Sequence, residues 1–229
     1  MKAVISMSGG LDSTTLAHFV VKELKSEIFP ISFYYGQKHK IELEMAKYQV
    51  NVLKRYGNVH DLKIVDISFM KGLLGRSTAL VSDDVEVPSL DGIRGQEDQP
   101  ITYVPFRNTI LLSICLAYAE ANKCDVVYYG AQQRDIYGYW DCTEDFVERM
   151  NKVLELNRKN KIRICAPFLK LRKSEIIKVG LNLGVDYSLT WSCYKGGDKA
   201  CGVCPTCVER LKAFSELGLK DPLEYELIQ

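Results

Sequence analysis

The chain has 229 residues, with 30 basic and 29 acidic side chains and a formal net charge of +1. Its 47% hydrophobic and 26% charged residues exclude a collagen, a low-complexity tail and a wholly disordered chain. A protein that binds duplex phosphates normally has a basic surplus, and this chain has none overall. The composition therefore indicates a globular protein with no strong nucleic-acid signal.

The apolar stretches are too short for a membrane protein. The longest uncharged one, from Thr109 to Tyr118, cannot span a bilayer. The basic and then apolar run from Met1 to Met7 breaks at Gly9-Gly10 before a signal-peptide core is complete. We expect a cytoplasmic protein that has no contact with a membrane.

Strand and helix patterns alternate along the chain. This order implies right-handed crossovers and a mainly parallel sheet covered on both faces, an α/β doubly wound fold. Residues 73–100 break the pattern, and a loop of that length is usually functional or disordered. Strands are predicted at residues 3–7, 28–35, 62–67, 126–129 and 162–165, and helices at 12–24, 41–56, 108–122, 143–156, 171–183 and 208–217.

The first predicted strand is followed directly by the sequence Ser8-Gly9-Gly10-Leu11-Asp12-Ser13. Glycines let backbone N–H groups converge on an anion, the serines add hydroxyl donors, and the following helix points its positive end at the same place. The sequence fits neither of the two common glycine-rich phosphate motifs. The alternative is a plain strand-to-helix turn with Asp12 or Ser13 as the N-cap.

Ser-Gly-Gly-x-Asp-Ser at a first strand end resembles the PP-loop of the ATP pyrophosphatases. Those enzymes cleave ATP between the α and β phosphates and transfer AMP to a carbonyl or carboxylate oxygen. The resemblance implies that the loop holds the β and γ phosphates of ATP and that Asp12 is a candidate Mg²⁺ ligand. The expected ATP-binding residues are Met7, Ser8, Gly9, Gly10, Leu11, Asp12, Ser13, Thr14, Thr15, Leu16 and Ala17.

Four of the eight cysteines lie close together near the end of the chain, at Cys193, Cys201, Cys204 and Cys207. Four thiolates satisfy a tetrahedral Zn²⁺ with no open position, which is typical of a structural site. An iron–sulfur cluster is the rival, because the last three cysteines have the spacing of a ferredoxin run. We favour one structural zinc, because the fourth cysteine does not fit that run.

Three further polar and aromatic clusters follow predicted strands or begin a helix, at residues 34–42, 104–108 and 130–142. Doubly wound folds bind ligands at the carboxyl ends of their strands, so each cluster is a candidate part of a site. Taken alone, each is equally well explained as a loop that caps a helix. The candidate residues are Tyr35, Gln37, His39, Arg107, Asn108, Asp135, Tyr139, Trp140 and Asp141.

In order, the motifs resemble the 7-cyano-7-deazaguanine synthase family over nearly the whole chain. The resemblance implies a C–N bond-forming ligase of queuosine biosynthesis. Such an enzyme converts 7-carboxy-7-deazaguanine, ammonia and ATP to the nitrile through adenylated acid and amide intermediates. It also implies a zinc held by the four cysteines and a homodimer. The chain departs from the family at Phe106, where glycine is usual, and at Trp140, where proline is usual.

That chemistry gives each candidate an expected role. Arg107 is expected to lie near the adenylate, and Asp135 and Asp141 to bind the guanine-like edge of the base. Tyr139 or Trp140 is expected to stack on the ring. Tyr35, Gln37, His39 and Asn108 are expected to line the substrate pocket.

Three alternatives remain open. A divergent relative would activate the same acid but stop at the amide or use another acceptor. A PP-loop enzyme that modifies tRNA would need a persulfide cysteine and an RNA-binding extension, for which the sequence gives no convincing candidate. A non-enzymatic nucleotide sensor would bind ATP without turnover.

The length favours one domain with an appendage. We predict a PP-loop nucleotide-binding domain at residues 1–190. We predict a zinc-binding segment and helix at 191–229, packed as an edge on the first unit.

Overall fold

A computed structural model describes residues 1–37, 41–82, 84–89, 99–132 and 139–226. In these ranges, strands and helices alternate as predicted. The strands are β1 Lys2–Ser6, β2 Glu27–Tyr34, β3 Lys63–Asp66, β4 Val126–Tyr128 and β5 Arg163–Cys165. The helices are α1 Leu11–Lys22, α2 Ile41–Leu53, α3 Met70–Leu74, α4 Arg107–Ala121, α5 Glu144–Leu154, α6 Lys173–Asn182 and α7 Pro205–Glu216, with 3-10 turns at Trp140–Cys142 and Tyr187–Leu189.

The strands of the described chain form one parallel sheet in the order β3-β2-β1-β4-β5. The chain leaves β1 toward β2 on one side and reaches β4 on the other. The carboxyl end of β1 therefore faces the point where the strand order reverses, the usual ligand-binding crevice of such sheets. This arrangement confirms the predicted doubly wound fold.

The central strands β1, β2 and β4 are buried on both faces, which explains their continuous apolar runs, whereas the edge strand β3 is largely exposed. Ala3, Val4 and Ile5 of β1 have no exposed surface. Val4 belongs to the apolar cluster on the α4 face, whereas Ala3 and Ile5 pack into the cluster formed with α1 and α6. This burial holds the loop after β1 between helices on both sides.

The helix ends follow simple chemical rules, but they differ from the sequence prediction at several places: α2 ends at Leu53 instead of residue 56, and α3 was not predicted. Gly184 has a φ of +71° after α6, and the N–H of Val185 bonds to the carbonyl of Gly180, which confirms the predicted left-handed cap. Helix α7 begins at Pro205, three residues before the predicted start at Val208. Cys204 is its N-cap, and proline is well suited to the first helical position, so the cysteine motif runs directly into the helix.

Irregular structure dominates the described part of residues 73–100, apart from the end of α3. Within the described ranges, none of the helices is both long and apolar enough to cross a membrane.

Candidate active site and metal centre

A cavity of about 260 Å³ lies at the carboxyl ends of β1, β2 and β4. The loop after β1 forms its floor, and the start of α4 and the segment before α7 form two walls. Of the predicted site residues, the following line it: Met7, Ser8, Gly10, Leu11, Asp12, Ser13, Tyr35, Gln37, Arg107, Asn108 and Tyr139.

Hydrogen bonds within the loop keep its two serines together. The Ser8 N–H donates to Ser13 Oγ over 3.1 Å, and the two hydroxyl oxygens lie 2.9 Å apart. The N-cap of α1 is Gly10, which has no side chain to accept from the first N–H groups of the helix, and its own N–H donates to Ser8 Oγ over 3.1 Å. The cap is therefore neither Asp12 nor Ser13, the two residues that the alternative of a plain turn named. The first residues of α1, Leu11, Asp12 and Ser13, line the cavity, and the first N–H groups of a helix have no intrahelical partner, which suits an anion site.

Gly9 allows the loop to approach α2 closely. It has a φ of +83°, and a Cβ atom there would lie 2.0 Å from the backbone oxygen of Glu42 and 2.8 Å from the nitrogen of Ala46. The carbonyl of Gly9 also accepts a hydrogen bond from Trp191 N–H over 3.0 Å. Glycine is thus required here both by conformation and by space.

Asp12 faces a lysine that the sequence analysis did not assign to the site. Lys173 Nζ, at the start of α6, lies 3.4 Å from Asp12 Oδ2 and 3.5 Å from Glu209 Oε2 of α7. The other Asp12 oxygen, Oδ1, is buried without a hydrogen-bond partner among the described residues. A buried carboxylate oxygen with no partner fits a divalent cation, because Mg²⁺ prefers oxygen ligands.

Arg107 forms the charged side of the cavity near the end of β2. Its Nη1 donates to Tyr35 Oη over 3.4 Å, and its guanidinium lies 5.8 Å from the centre of the Tyr35 ring. Burial opposes its charge, but Tyr35, Tyr194 and Asp141 together raise the pKa of Arg107. Burial also raises the pKa of Asp141, and the nearby Arg107 and Asn108 oppose that rise. A half-buried cation that lines the cavity therefore lies close to a buried carboxyl group behind its wall.

The other candidates lie at different depths. Asp141 is only 3% exposed and lies behind the cavity wall, beside Asn108. Gln37 supports the wall, because its side chain bonds to Tyr35 N–H and Phe33 O. Trp140 is 38% exposed and packs edge-on against Phe106 and Phe146 instead of lining the cavity.

Four further predicted residues, all within α1, do not line the cavity. Thr14, Thr15, Leu16 and Ala17 are buried within α1, where Thr15 Oγ1 lies 2.7 Å from Tyr187 Oη. His39 and Asp135 lie outside the described residues.

Several lining residues come from late in the chain and were missed as site residues. Lys173, Trp191, Ser192, Tyr194 and Thr206 all contribute to the cavity. The Lys173-Ser174-Glu175 and Thr190–Tyr194 motifs were visible in the sequence. Their spacing gave no indication of which side chain faces the loop.

The four C-terminal cysteines form a buried cluster. Their sulfur atoms all lie within 4.8 Å of one another. The N–H of Cys204 points at Cys201 Sγ over 3.3 Å, and the N–H of Cys201 points at Cys193 Sγ over 3.4 Å. Gly202, with a φ of +78°, permits this turn. The cluster has the donor set and the compactness of a site for one thiophilic metal ion.

The metal-binding segment is joined to the cavity through α7. Thr206 Oγ1 donates to Ser192 O over 2.6 Å, and Arg210 donates to Thr190 Oγ1 and Tyr187 O. Arg210 is 1% exposed and also pairs with Asp221 over 2.7 Å. These bonds fix the 187–192 segment, whose Trp191 holds the loop at Gly9.

The fold and the site together define an α/β nucleotide-binding protein of the PP-loop ATP pyrophosphatase class. Residues 2–218 match the profile of the family described as "Queuosine biosynthesis protein QueC". The chain belongs to this family.

Similar proteins include 7-cyano-7-deazaguanine synthases from Caldicellulosiruptor saccharolyticus, Thermoplasma acidophilum and Nostoc sp.. The first is 47% identical over 99% of this chain and 96% of its own length. The second is 45% identical over 98% and 92%, and the third is 45% identical over 100% and 99%. The match therefore extends over essentially the whole of each relative.

Solved structures support the fold alone. The U34-tRNA thiolase NcsA from Methanococcus maripaludis, with its [4Fe-4S] cluster, superposes with a TM-score of 0.50 at 19% identity, covering 95% of this chain and 66% of that one. NMN synthetase from Francisella tularensis gives 0.50 at 13% identity, covering 95% and 77%. At such identities the chemistry of these neighbours does not transfer to this chain.

Proposed function

We propose that the protein converts 7-carboxy-7-deazaguanine, ammonia and two ATP molecules to 7-cyano-7-deazaguanine, two AMP and two pyrophosphate. The relatives at 41–47% identity carry this enzyme's name. The observation that supports it most is the single cavity in which the Ser-Gly-Gly loop and Arg107 meet, backed by the buried carboxyl group of Asp141.

A carboxylate is a poor electrophile, so the first step is its activation. A carboxylate oxygen attacks the α phosphorus of ATP and pyrophosphate leaves. Ammonia then attacks the acyl carbon and AMP leaves, which gives the amide. In the second round the amide oxygen attacks another α phosphorus and pyrophosphate leaves. Loss of AMP and of both remaining protons on nitrogen completes the nitrile.

The chain's own groups supply charge stabilisation and positioning. The N–H groups at the start of α1 and the hydroxyls of Ser8 and Ser13 bind the pyrophosphate, on which negative charge develops. Lys173 adds a positive charge beside the same loop. Arg107 stabilises the adenylate from the opposite wall. No covalent enzyme intermediate is required, because holding the reactants together provides much of the acceleration.

Asp12 Oδ1 is the group proposed to hold Mg²⁺, which would neutralise part of the phosphate charge when bound. This proposal is supported by the burial of that oxygen without a hydrogen-bond partner among the described residues. Asp141 and Tyr139 are proposed to bind the base edge and its ring face. His39 and Asp135 stay predictions.

A structural zinc is proposed for the four cysteines. A tetrahedral ion with Zn–S bonds of about 2.3 Å places its sulfurs about 3.8 Å apart, which is compatible with sulfurs within 4.8 Å of one another. In a four-iron cluster each thiolate binds a different iron, which spreads the sulfurs more widely. Metal analysis of the purified protein tests this assignment: one zinc per chain supports it, and iron with sulfide contradicts it.

The function is tested by incubating the protein with ATP, Mg²⁺, ammonium and the deazapurine acid. Acid-dependent pyrophosphate release with a nitrile product supports the proposal. An amide as the final product supports the divergent alternative, and ATP binding without turnover supports a sensor.

Two variants test the site, each with a matched control from an exposed pair. Asp141→Asn and Arg107→Ala are expected to lower kcat/KM by about 100-fold, an effect in the range of lost transition-state contacts. Asp145→Asn and Arg149→Ala break the exposed α5 pair, whose atoms lie 2.7 Å apart, and should retain activity. Near-normal rates for the first two would remove those residues from the mechanism.

A further inference from the structure

Two turns at the mouth of the cavity are joined by a set of aromatic residues. The first turn, residues 102–106, precedes α4. The second turn, residues 139–142, precedes α5. Thr102 Oγ1 lies 2.8 Å from Tyr139 Oη, and the rings of Tyr103 and Tyr139 stack with centroids 6.4 Å apart.

The hydroxyl oxygen of Tyr103 accepts from both turns. Trp140 Nε1–H donates to it over 2.8 Å, and the backbone N–H of Phe106 donates over 3.0 Å. Phe106 is the N-cap of α4, so this bond satisfies a donor at the helix end that no intrahelical carbonyl can reach. One oxygen atom thus connects the start of α4 to the neighbouring turn.

Phe106 has a backbone conformation that disfavours a side chain. Its φ is +51°, in the left-handed region that glycine adopts readily. Its ring meets Trp140 edge-to-face at 5.6 Å, and it is 59% exposed. The contacts with Tyr103 and Trp140 therefore hold a conformation that the phenylalanine alone would not favour.

The residues immediately after these contacts form the charged part of the site. Arg107 and Asn108 follow Phe106, and Asp141 and Cys142 follow Trp140. Asn108 Nδ2 lies 3.5 Å from Cys142 Sγ, and Asn108 also bonds to the Asp141 carboxyl group. A shift of either turn would move Arg107 relative to Asp141.

We propose that Tyr103 is a positioning residue, which with Phe106 and Trp140 fixes the Arg107 side of the cavity against the Asp141 side for binding and activation of the acid substrate. This inference rests on the proposed function. A glycine at position 106 would adopt the left-handed conformation without help. In this chain, the contacts of Phe106 with Tyr103 and Trp140 stabilise that conformation instead.

The experiment compares Tyr103→Phe in two backgrounds. In the native chain, loss of the hydroxyl should lower kcat/KM for the acid about tenfold while the KM for ATP changes less than twofold, because the phosphate loop forms the floor of the cavity and does not contact Tyr103. In Phe106→Gly, where the backbone is relaxed, the same change should cost less than about threefold. Tyr56→Phe alters an exposed tyrosine beyond α2 and is the matched control, expected to have no effect.

Fluorescence gives a readout that does not depend on turnover. The chain has two tryptophans, of which Trp191 is buried and Trp140 is partly exposed. Tyr103→Phe should increase acrylamide quenching of the Trp140 emission, with Trp140→Phe providing the Trp191 background.

The outcomes separate the two proposals. If the native protein releases no pyrophosphate with the acid, the proposed function fails, and unchanged quenching in Tyr103→Phe then overturns the positioning role as well. If the native protein is active, three results would each overturn the positioning role of Tyr103. Tyr103→Phe could lower kcat/KM equally in the native chain and in Phe106→Gly, or lower it in neither. It could also change the KM for ATP as much as the kcat/KM for the acid.

Discussion

At the scale of single residues, the phosphate loop depends on the missing side chains of Gly9 and Gly10. Gly9 lacks the Cβ atom that would collide with α2, and its carbonyl is held by Trp191. Gly10 caps α1 without a side-chain acceptor, so the first N–H groups of the helix remain available for a ligand. Both properties come from glycine, for different reasons.

Gly9→Ala should therefore destabilise the protein and abolish ATP binding. The left-handed φ and the collision with Glu42 O together predict a loss of about 2–5 kcal/mol in the free energy of unfolding. Denaturant unfolding and calorimetric ATP titration measure the two effects. Gly72→Ala is the control, because a Cβ atom there meets nothing within 4 Å. Equal stability of the two variants would contradict this explanation of the loop.

At the scale of elements, α1 and α2 are linked by a buried histidine. His18 is 1% exposed, and its Nε2 lies 3.2 Å from Gln49 Oε1. Gln49 in turn donates to Leu189 O over 2.9 Å. Burial is the main cause that lowers the pKa of His18 from 6.5 to about 4, although the bond to Gln49 opposes it.

This histidine predicts a pH-dependent stability. Between pH 6.5 and 4 the unfolded chain binds a proton at His18 that the folded chain does not, so the free energy of unfolding falls as the pH falls. A shift of this size corresponds to about 3 kcal/mol, fully lost only below the folded pKa. Denaturant unfolding at several pH values should show a smaller slope in His18→Gln than in the native chain. A slope unchanged in His18→Gln would contradict the assignment.

The elements themselves were largely predictable, because apolar periodicity records which face of each strand and helix is buried. The start of α7 was missed because Cys204 and Pro205 belong to a motif whose metal-binding pattern hides their role as helix N-terminus. The ion pairs of Lys173 with Asp12 and Glu209 were not predictable either. They join residues far apart in the sequence, and no local pattern specifies which side chains meet across a fold.

At the scale of the whole molecule, the cysteine cluster and the candidate active site form one connected structure. Thr206 lies between two cysteines, lines the cavity and bonds to Ser192 O. Arg210 extends the connection to Thr190 and Asp221. A metal ion here would stabilise the site wall as well as the terminal segment.

Removal of the metal should therefore reduce activity before the protein unfolds globally. A chelator is expected to lower the Tm and to weaken ATP binding, because the N-terminus of α7 loses its anchor. Cys207→Ser should lose the bound metal, measured by mass spectrometry, and reproduce both effects. Cys124→Ala, a buried cysteine outside the cluster, should keep a full metal content. Normal ATP binding in a metal-free, folded protein would contradict this coupling.

The contact between Thr15 and Tyr187 joins residues 172 positions apart. The phosphate loop and α1 are translated well before the segment that completes their surroundings, so they leave the ribosome long before Trp191 and Lys173 exist. Long-range contacts of this kind slow folding, because their loop-closure entropy must be overcome first. Under the proposed function, nucleotide binding is therefore acquired late in biogenesis, and a chain whose synthesis stops before α6 would carry the Ser-Gly-Gly loop without a complete cavity.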